Sequence, residues 1–137
     1  MFYHQDPNPY LVASTLTFLV PLHAATQLEL WQTQLALSAL LVASTAYHTT
    51  KNGLLYYADQ AAVAALVWRS VVDGLNGGPL CTGIAAGINA ACVYLYYYGR
   101  IRQTLIWSPQ FVTATASHAG MHLLVAGGYM LLLTLYP

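Results

Sequence analysis

The distribution of apolar residues is the feature that most constrains the fold of this chain. Five apolar runs follow one another, separated by short connections: residues 10–25, 30–50, 57–72, 80–98 and 109–136. Charged residues make up only 6% of the chain, far below the ~25% that is typical of soluble domains. A soluble domain with this composition would expose a largely apolar surface and aggregate. The pattern therefore predicts an integral membrane protein.

The lengths of the runs predict helices. A helix needs ~20 residues to cross ~30 Å of hydrocarbon, and the second, fourth and fifth runs meet this requirement. The first and third runs are short and need tilt or local thinning of the bilayer. Glycine and proline punctuate the connections, which we place at residues 51–53, 73–79 and 99–102. We expect one domain over residues 1–137, an all-α polytopic transmembrane bundle of about five helices.

The basic residues predict the orientation in the membrane. Lys51 follows the second run, and Arg100 and Arg102 follow the fourth, so all three lie on the N-terminal side. Because cytoplasmic loops are enriched in Lys and Arg, we expect the N-terminus in the cytoplasm, or its topological equivalent, and the C-terminus outside. Arg69 lies towards the opposite side, where we expect it to pair with Asp73 one turn later.

Small residues of the fourth run predict packing roles. Cys81 and Cys92 lie on one predicted helix, roughly 16 Å apart, which is too far for a disulfide. Both are expected to pack as small apolar side chains. Gly83 and Gly87 form a small-xxx-small face, which is typical of close helix packing in membranes.

Polar residues inside three of the runs share one depth. His48 lies near the end of the second run, Asp59 near the start of the third, and His118 in the first half of the fifth. Because successive helices alternate in direction, all three fall in one layer near the cytoplasmic face. Ser44 and His122 lie one turn deeper, at i,i+4 spacing from His48 and His118, and therefore on the same helix faces. Ionisable groups inside membrane spans are costly and usually mark function.

These five residues have the chemistry of a zinc site with an activated water. Three neutral imidazoles form a tetrahedral zinc site with one open position, where a bound water acidifies to a pKa of about 7. We predict zinc as the cofactor and His48, His118 and His122 as its ligands. Asp59 would act as general base or orient the water, and Ser44 would hydrogen-bond the water or stabilise an oxyanion.

The order of the motifs resembles that of the CREST superfamily of membrane hydrolases. Ser44 and His48 are followed by Asp59 in the next run and by His118 and His122 in the last run. That superfamily includes alkaline ceramidases, adiponectin-type progestin receptors and lipid-remodelling proteins, which are seven-helix bundles with one zinc held by three histidines. The resemblance is greatest to the ceramidase branch. It implies that the three histidines hold zinc beside Ser44 and Asp59, in a chain that is two helices shorter.

The remaining histidines and the N-terminal segment receive no role. Alkaline ceramidases carry an acidic N-terminal segment that binds calcium, whereas this segment offers only Asp6, so no calcium site is expected. His4 and His23 fall outside the layer that contains the other histidines.

The leading functional expectation is a zinc-dependent intramembrane hydrolase that cleaves an amide or ester bond of a membrane lipid. Two alternatives stay open. In an electron-transfer or quinone-site subunit, His48 with His118 or His122 would ligate a b-type haem across two helices. A supernumerary subunit of a large membrane complex, associated with other membrane subunits, would keep the fold with a relic or structural metal site. The formal net charge is zero and there is no basic stretch, so nucleic-acid binding lacks an electrostatic basis.

Overall fold

The computed structural model describes residues 7–137, so His4 and Asp6 lie outside the described residues. This range is helical and contains no strand, which confirms the predicted all-α class. The elements are α1 (Pro9–Thr15), a 3₁₀ turn (Leu16–Phe18), α2 (Leu19–Gln27), α3 (Trp31–Thr50), α4 (Gly53–Asn76), α5 (Pro79–Arg102), a second 3₁₀ turn (Leu105–Trp107) and α6 (Phe111–Thr134). Because α1, the first 3₁₀ turn and α2 continue into one another, they form a single rod, termed rod 1, and the described chain has five rods.

The predicted bounds of two helices are wrong. The third run was expected to give a short helix, but α4 has 24 residues, because Asn52 caps its start and the helix continues to Asn76 through the buried Asp73. α5 also has 24 residues and continues through the predicted connection to Arg102, until Gln103 adopts a left-handed φ of 53°. Hydropathy locates the apolar part of each helix, whereas capping and backbone geometry decide where the helix ends.

The five rods form a closed ring. Rod 1 contacts both α3 and α6, and the seams between α3 and α4, α4 and α5, and α5 and α6 follow in order. The start of rod 1 meets the end of α3 and the start of α6: the Asn8 N–H donates to the His48 carbonyl (3.0 Å), and the Asn8 side-chain amide donates to Thr115 Oγ1 (2.8 Å). This end of the ring is termed the site end.

At the opposite end, a buried carboxylate ties three helices together. Asp73 is fully buried and accepts hydrogen bonds from Thr33 Oγ1 of α3 (2.7 Å) and from the Tyr129 hydroxyl of α6 (3.1 Å). Arg69 forms an ion pair with the same carboxylate, as predicted. A buried ion pair is tolerated when its remaining hydrogen-bonding capacity is satisfied, and both carboxylate oxygens of Asp73 have partners.

Close helix packing occurs at glycines other than the predicted pair. A Cβ added at Gly83 or Gly87 would meet nothing within 4 Å, so the predicted small-xxx-small packing is wrong within this chain. Close approach occurs instead at Gly74, where an added Cβ would lie 2.9 Å from Ala85 of α5, and at Gly128, where it would overlap a side chain of α5.

Two segments of the described chain are long and apolar enough to cross a membrane, Pro79–Trp107 and Phe111–Thr134. They are consistent with the predicted membrane association. α3 and α4 have 20 and 24 residues, and both carry polar side chains that face the interior of the ring as well as polar side chains at the surface. These buried polar residues are Thr33, Ser44, His48, Asp59, Ser70 and Asp73.

Candidate metal centre

Three histidines from two helices meet at the site end. His48 lies in the last turn of α3 and is fully buried, while His118 and His122 lie on successive turns of α6. Their ring centroids are 4.9 Å (His48–His118), 5.6 Å (His48–His122) and 4.8 Å (His118–His122) apart. One ligand nitrogen from each ring lies within 4.8 Å of the others, so the group can hold one metal ion.

The donor set fits zinc. Imidazole nitrogens are ordinary zinc ligands, and a tetrahedral site with Zn–N bonds of ~2.0–2.1 Å places them about 3.3 Å apart. Within residues 7–137, His48 Nε2 is buried and has no hydrogen-bond partner. A buried polar atom without a partner is costly, and a metal ion would remove that cost.

Ser14 of rod 1 orients one of these rings, which the sequence did not predict. The Ser14 hydroxyl donates to the Leu11 carbonyl (2.9 Å) and lies 2.8 Å from His122 Nδ1. Because its only proton is used on the carbonyl, Ser14 Oγ accepts from an Nδ1–H, which leaves the Nε2 lone pair for a metal. The contact joins positions 108 apart in the chain, and nothing in the sequence distinguishes this hydroxyl from its neighbours.

Lys51 contacts the Nδ1 atom of His48, just as Ser14 contacts the Nδ1 atom of His122. It adopts a left-handed conformation directly after α3, and its Nζ lies 3.1 Å from His48 Nδ1 and 4.7 Å from the centre of the Tyr47 ring. Burial lowers the pKa of the Lys51 side chain, and the neighbouring Asp59 opposes that shift. Lys51 therefore contacts the ring nitrogen of His48 that lies opposite the unpartnered Nε2.

The two predicted catalytic residues lie together beside the histidines. Ser44 and Asp59 are both buried, and the Ser44 side chain lies beside the Asp59 carboxylate. Gln60 Nε2 lies 3.4 Å from Asp59 Oδ2. Asp59 Oδ1 is buried without a partner in the described part of the chain, so this oxygen is available to a water or a substrate. His23 is exposed on α2 and takes no part in the group.

An apolar cavity of about 250 Å³ leads from the metal centre into the ring. Its polar end is lined by Ser44, Asp59, His118 and His122, and its lining extends to Leu132. Because 14 residues separate His118 from Leu132 on α6, the cavity spans roughly 21 Å along that helix. A mostly apolar cavity with a few convergent polar groups is typical of a small-molecule site.

Comparison of the chain with models of known protein families, with curated proteins and with solved structures gave no match. The resemblance to the CREST superfamily therefore rests on the order and spacing of the five polar residues.

Proposed function

We propose that this protein is a zinc-dependent intramembrane hydrolase of the CREST type that cleaves an amide or ester bond of a lipid. One observation carries the proposal. His48, His118 and His122 form a cluster that can hold a metal ion, and Ser44 and Asp59 adjoin it at the polar end of an apolar cavity. The polar end would receive the scissile bond, and the apolar remainder would receive a hydrocarbon chain.

The outer surface supports a multi-pass arrangement that also includes α3 and α4. Large apolar side chains protrude from both helices, including Trp31 (66% exposed) and Val42 (69%) of α3, and Leu54 (78%) and Trp68 (70%) of α4. Extensive apolar exposure of this kind indicates a lipid environment. The helices are roughly 30 and 36 Å long, which matches the ~30 Å thickness of the hydrocarbon core.

The positions of the basic residues support a cytoplasmic site end. Lys51 follows α3, and Arg100 and Arg102 lie in the last turn of α5, so all three flank the site end. Arg69, which lies towards the other end, is paired with a carboxylate. The positive-inside rule then places the N-terminus on the cytoplasmic side.

Cysteine labelling in sealed vesicles tests this orientation. Thr50→Cys and Gln103→Cys should react with a membrane-impermeant maleimide from the cytoplasmic side, and Asn76→Cys from the opposite side. All three positions are exposed. Labelling of all three from one side would contradict the multi-pass topology.

The chemistry assigned to the chain is proton transfer. Zinc held by the histidines would supply a Lewis acid that brings the pKa of a water to about 7. Asp59 is placed to accept a proton from the attacking water and to return it to the leaving amine or alcohol as the C–N or C–O bond breaks. Ser44, which lies beside Asp59, would hydrogen-bond the attacking water or stabilise the oxyanion. General acid–base assistance of this kind contributes about 10²–10⁴-fold to the rate.

The ring contacts favour zinc over haem. All three imidazoles contact one another through faces and edges, with centroid distances of 4.8–5.6 Å. Two axial haem ligands instead approach the iron from opposite faces of a flat macrocycle. The haem alternative also assigns no role to Ser44 and Asp59.

The deciding experiment measures zinc and turnover together. Purified wild type should contain about one zinc per chain and hydrolyse at least one member of a panel of ceramides, acyl esters and lysolipids, followed by mass spectrometry. Asp59→Asn should keep the zinc and lose about 10²–10⁴-fold in rate. The control is Glu29→Gln, which also replaces a carboxylate with an amide but at an exposed position. Zinc-loaded wild type that cleaves none of these lipids, and that co-purifies with a large complex, would favour the structural-subunit alternative.

A further inference from the structure

Exposed residues of the cavity lining lie along one seam of the ring, between α4 and α5. Among the residues that line the cavity, the exposed ones are Val63 (40% exposed) and Val67 (39%), one turn apart on α4. Cys92 of α5 also lines the cavity and is half-buried. These three apolar side chains therefore belong both to the cavity wall and to the surface between α4 and α5.

This seam is joined by hydrogen bonds at both ends, and the described side chains form no hydrogen bond across it in between. Towards the site end, the side chains of Tyr56 and Tyr96 are hydrogen-bonded. Away from it, Asn89 Nδ2 donates to Ser70 Oγ (2.9 Å). Because 14 residues separate Tyr56 from Ser70 on α4, these two ties are roughly 21 Å apart along the helix. Val63 and Val67 lie within that interval.

Other seams carry side-chain contacts at the depth of the cavity. The seam between rod 1 and α6 is joined by the hydrogen bond from His122 to Ser14. At the seam between α5 and α6, Gly128 packs directly against the Ile88 side chain, which an added Cβ would overlap. Among residues 7–137, the seam between α4 and α5 is thus the one at which exposed side chains line the cavity.

We propose that the opening between α4 and α5 admits the hydrocarbon chain of a membrane lipid, which slides sideways from the bilayer into the cavity. The rim residues Val63, Val67 and Cys92 are apolar, which suits a methylene chain and gives no partner for a charged head group. Asp59 and His118 at the polar end would then receive the bond that joins the chain to the head group. The identity of the ligand rests on the proposed function, whereas the position of the opening rests on the exposure and lining of α4.

Alkylation of the native Cys92 tests the opening. The protein in lipid nanodiscs is treated with a long-chain N-alkylmaleimide that partitions into the bilayer, and modification of each cysteine is followed by mass spectrometry. Cys81 is only 1% exposed and should react far more slowly. In Val67→Trp the indole fills the opening, so the rate at Cys92 should fall at least about tenfold, equivalent to about 1.4 kcal/mol in the barrier.

Val71→Trp is the matched control. Val71 lies one turn beyond Val67 on α4 and is 37% exposed, but it does not line the cavity, so its replacement should leave the Cys92 rate unchanged. A wild-type rate in Val67→Trp, or an equal fall in both variants, would overturn the proposed opening. Alkylation requires neither zinc nor turnover. If only Val67→Trp slows alkylation of Cys92, but the protein has neither zinc nor hydrolase activity, the opening is supported and the proposed hydrolase is rejected. If the protein is active but Val67→Trp does not slow alkylation of Cys92, only the opening is rejected.

Discussion

Replacing Ser14 with alanine should weaken zinc binding while leaving the fold intact. The Ser14 oxygen accepts the Nδ1 proton of His122 at 2.8 Å, because its own proton is donated to the Leu11 carbonyl at 2.9 Å. Alanine leaves that N–H without an acceptor and frees the ring to adopt the other tautomer or to rotate. Outer-shell partners of metal-binding histidines are typically worth ~10–100-fold in affinity, which corresponds to about 1.4–2.8 kcal/mol. We expect the zinc dissociation constant to rise by that factor.

Competition with a fluorescent zinc chelator in detergent measures this change, and thermal unfolding of the metal-free protein measures any effect on the fold. Thr17→Ala is the matched control, because the Thr17 hydroxyl lies on the same rod and donates to the Ser14 carbonyl (2.7 Å) rather than to a histidine. Ser14→Thr retains the acceptor and should restore affinity. Wild-type zinc affinity in Ser14→Ala would refute the positioning role, as would a loss of affinity that Thr17→Ala reproduces.

Three further substitutions should change the stability that thermal unfolding in detergent measures, and for the first of them the zinc content is measured as well. His122→Ala should abolish stoichiometric zinc and remove the stabilisation that zinc gives the wild type, since a metal tie between α3 and α6 contributes to folding; full zinc occupancy would refute the ligand assignment. Gly128→Ala should destabilise by about 1–3 kcal/mol, because the new Cβ overlaps Ile88, while Gly127→Ala, whose Cβ meets nothing within 4 Å, should be near neutral. Asp73→Asn should destabilise by about 1–3 kcal/mol, because the half-buried Arg69 loses its counter-charge but keeps hydrogen bonds to Gln32 and Thr33; a change below about 0.5 kcal/mol would contradict that role.

The sequence was enough to predict the helical class and the grouping of the polar residues by depth. Helical rise is fixed at ~1.5 Å per residue, so position along a helix follows directly from position in the chain. Alternating helix directions then bring the end of the second run beside the starts of the third and fifth. His48, Asp59 and His118 meet for this reason, and the i,i+4 spacing adds Ser44 and His122 to the same helix faces.

The tertiary structure decided which residues surround that group. A helix can rotate about its axis without changing any depth, and in this chain apolar side chains cover both the interior and the outer surface. Apolarity therefore does not distinguish the two faces. This ambiguity explains why the sequence predicts close packing at Gly83 and Gly87, whereas Gly128 provides it. It also explains why the sequence does not predict the exposure of Val63 and Val67.

The closure of the ring likewise depended on contacts between residues far apart in the chain. Rod 1 packs between α3 and α6, which brings Ser14 to His122 and Asn8 to Thr115 across more than a hundred residues. A single hydroxyl or amide has many possible partners in a sequence. Its actual partner is determined by the packing of all five rods, because the interior is close-packed and the position of each rod limits the positions of its neighbours.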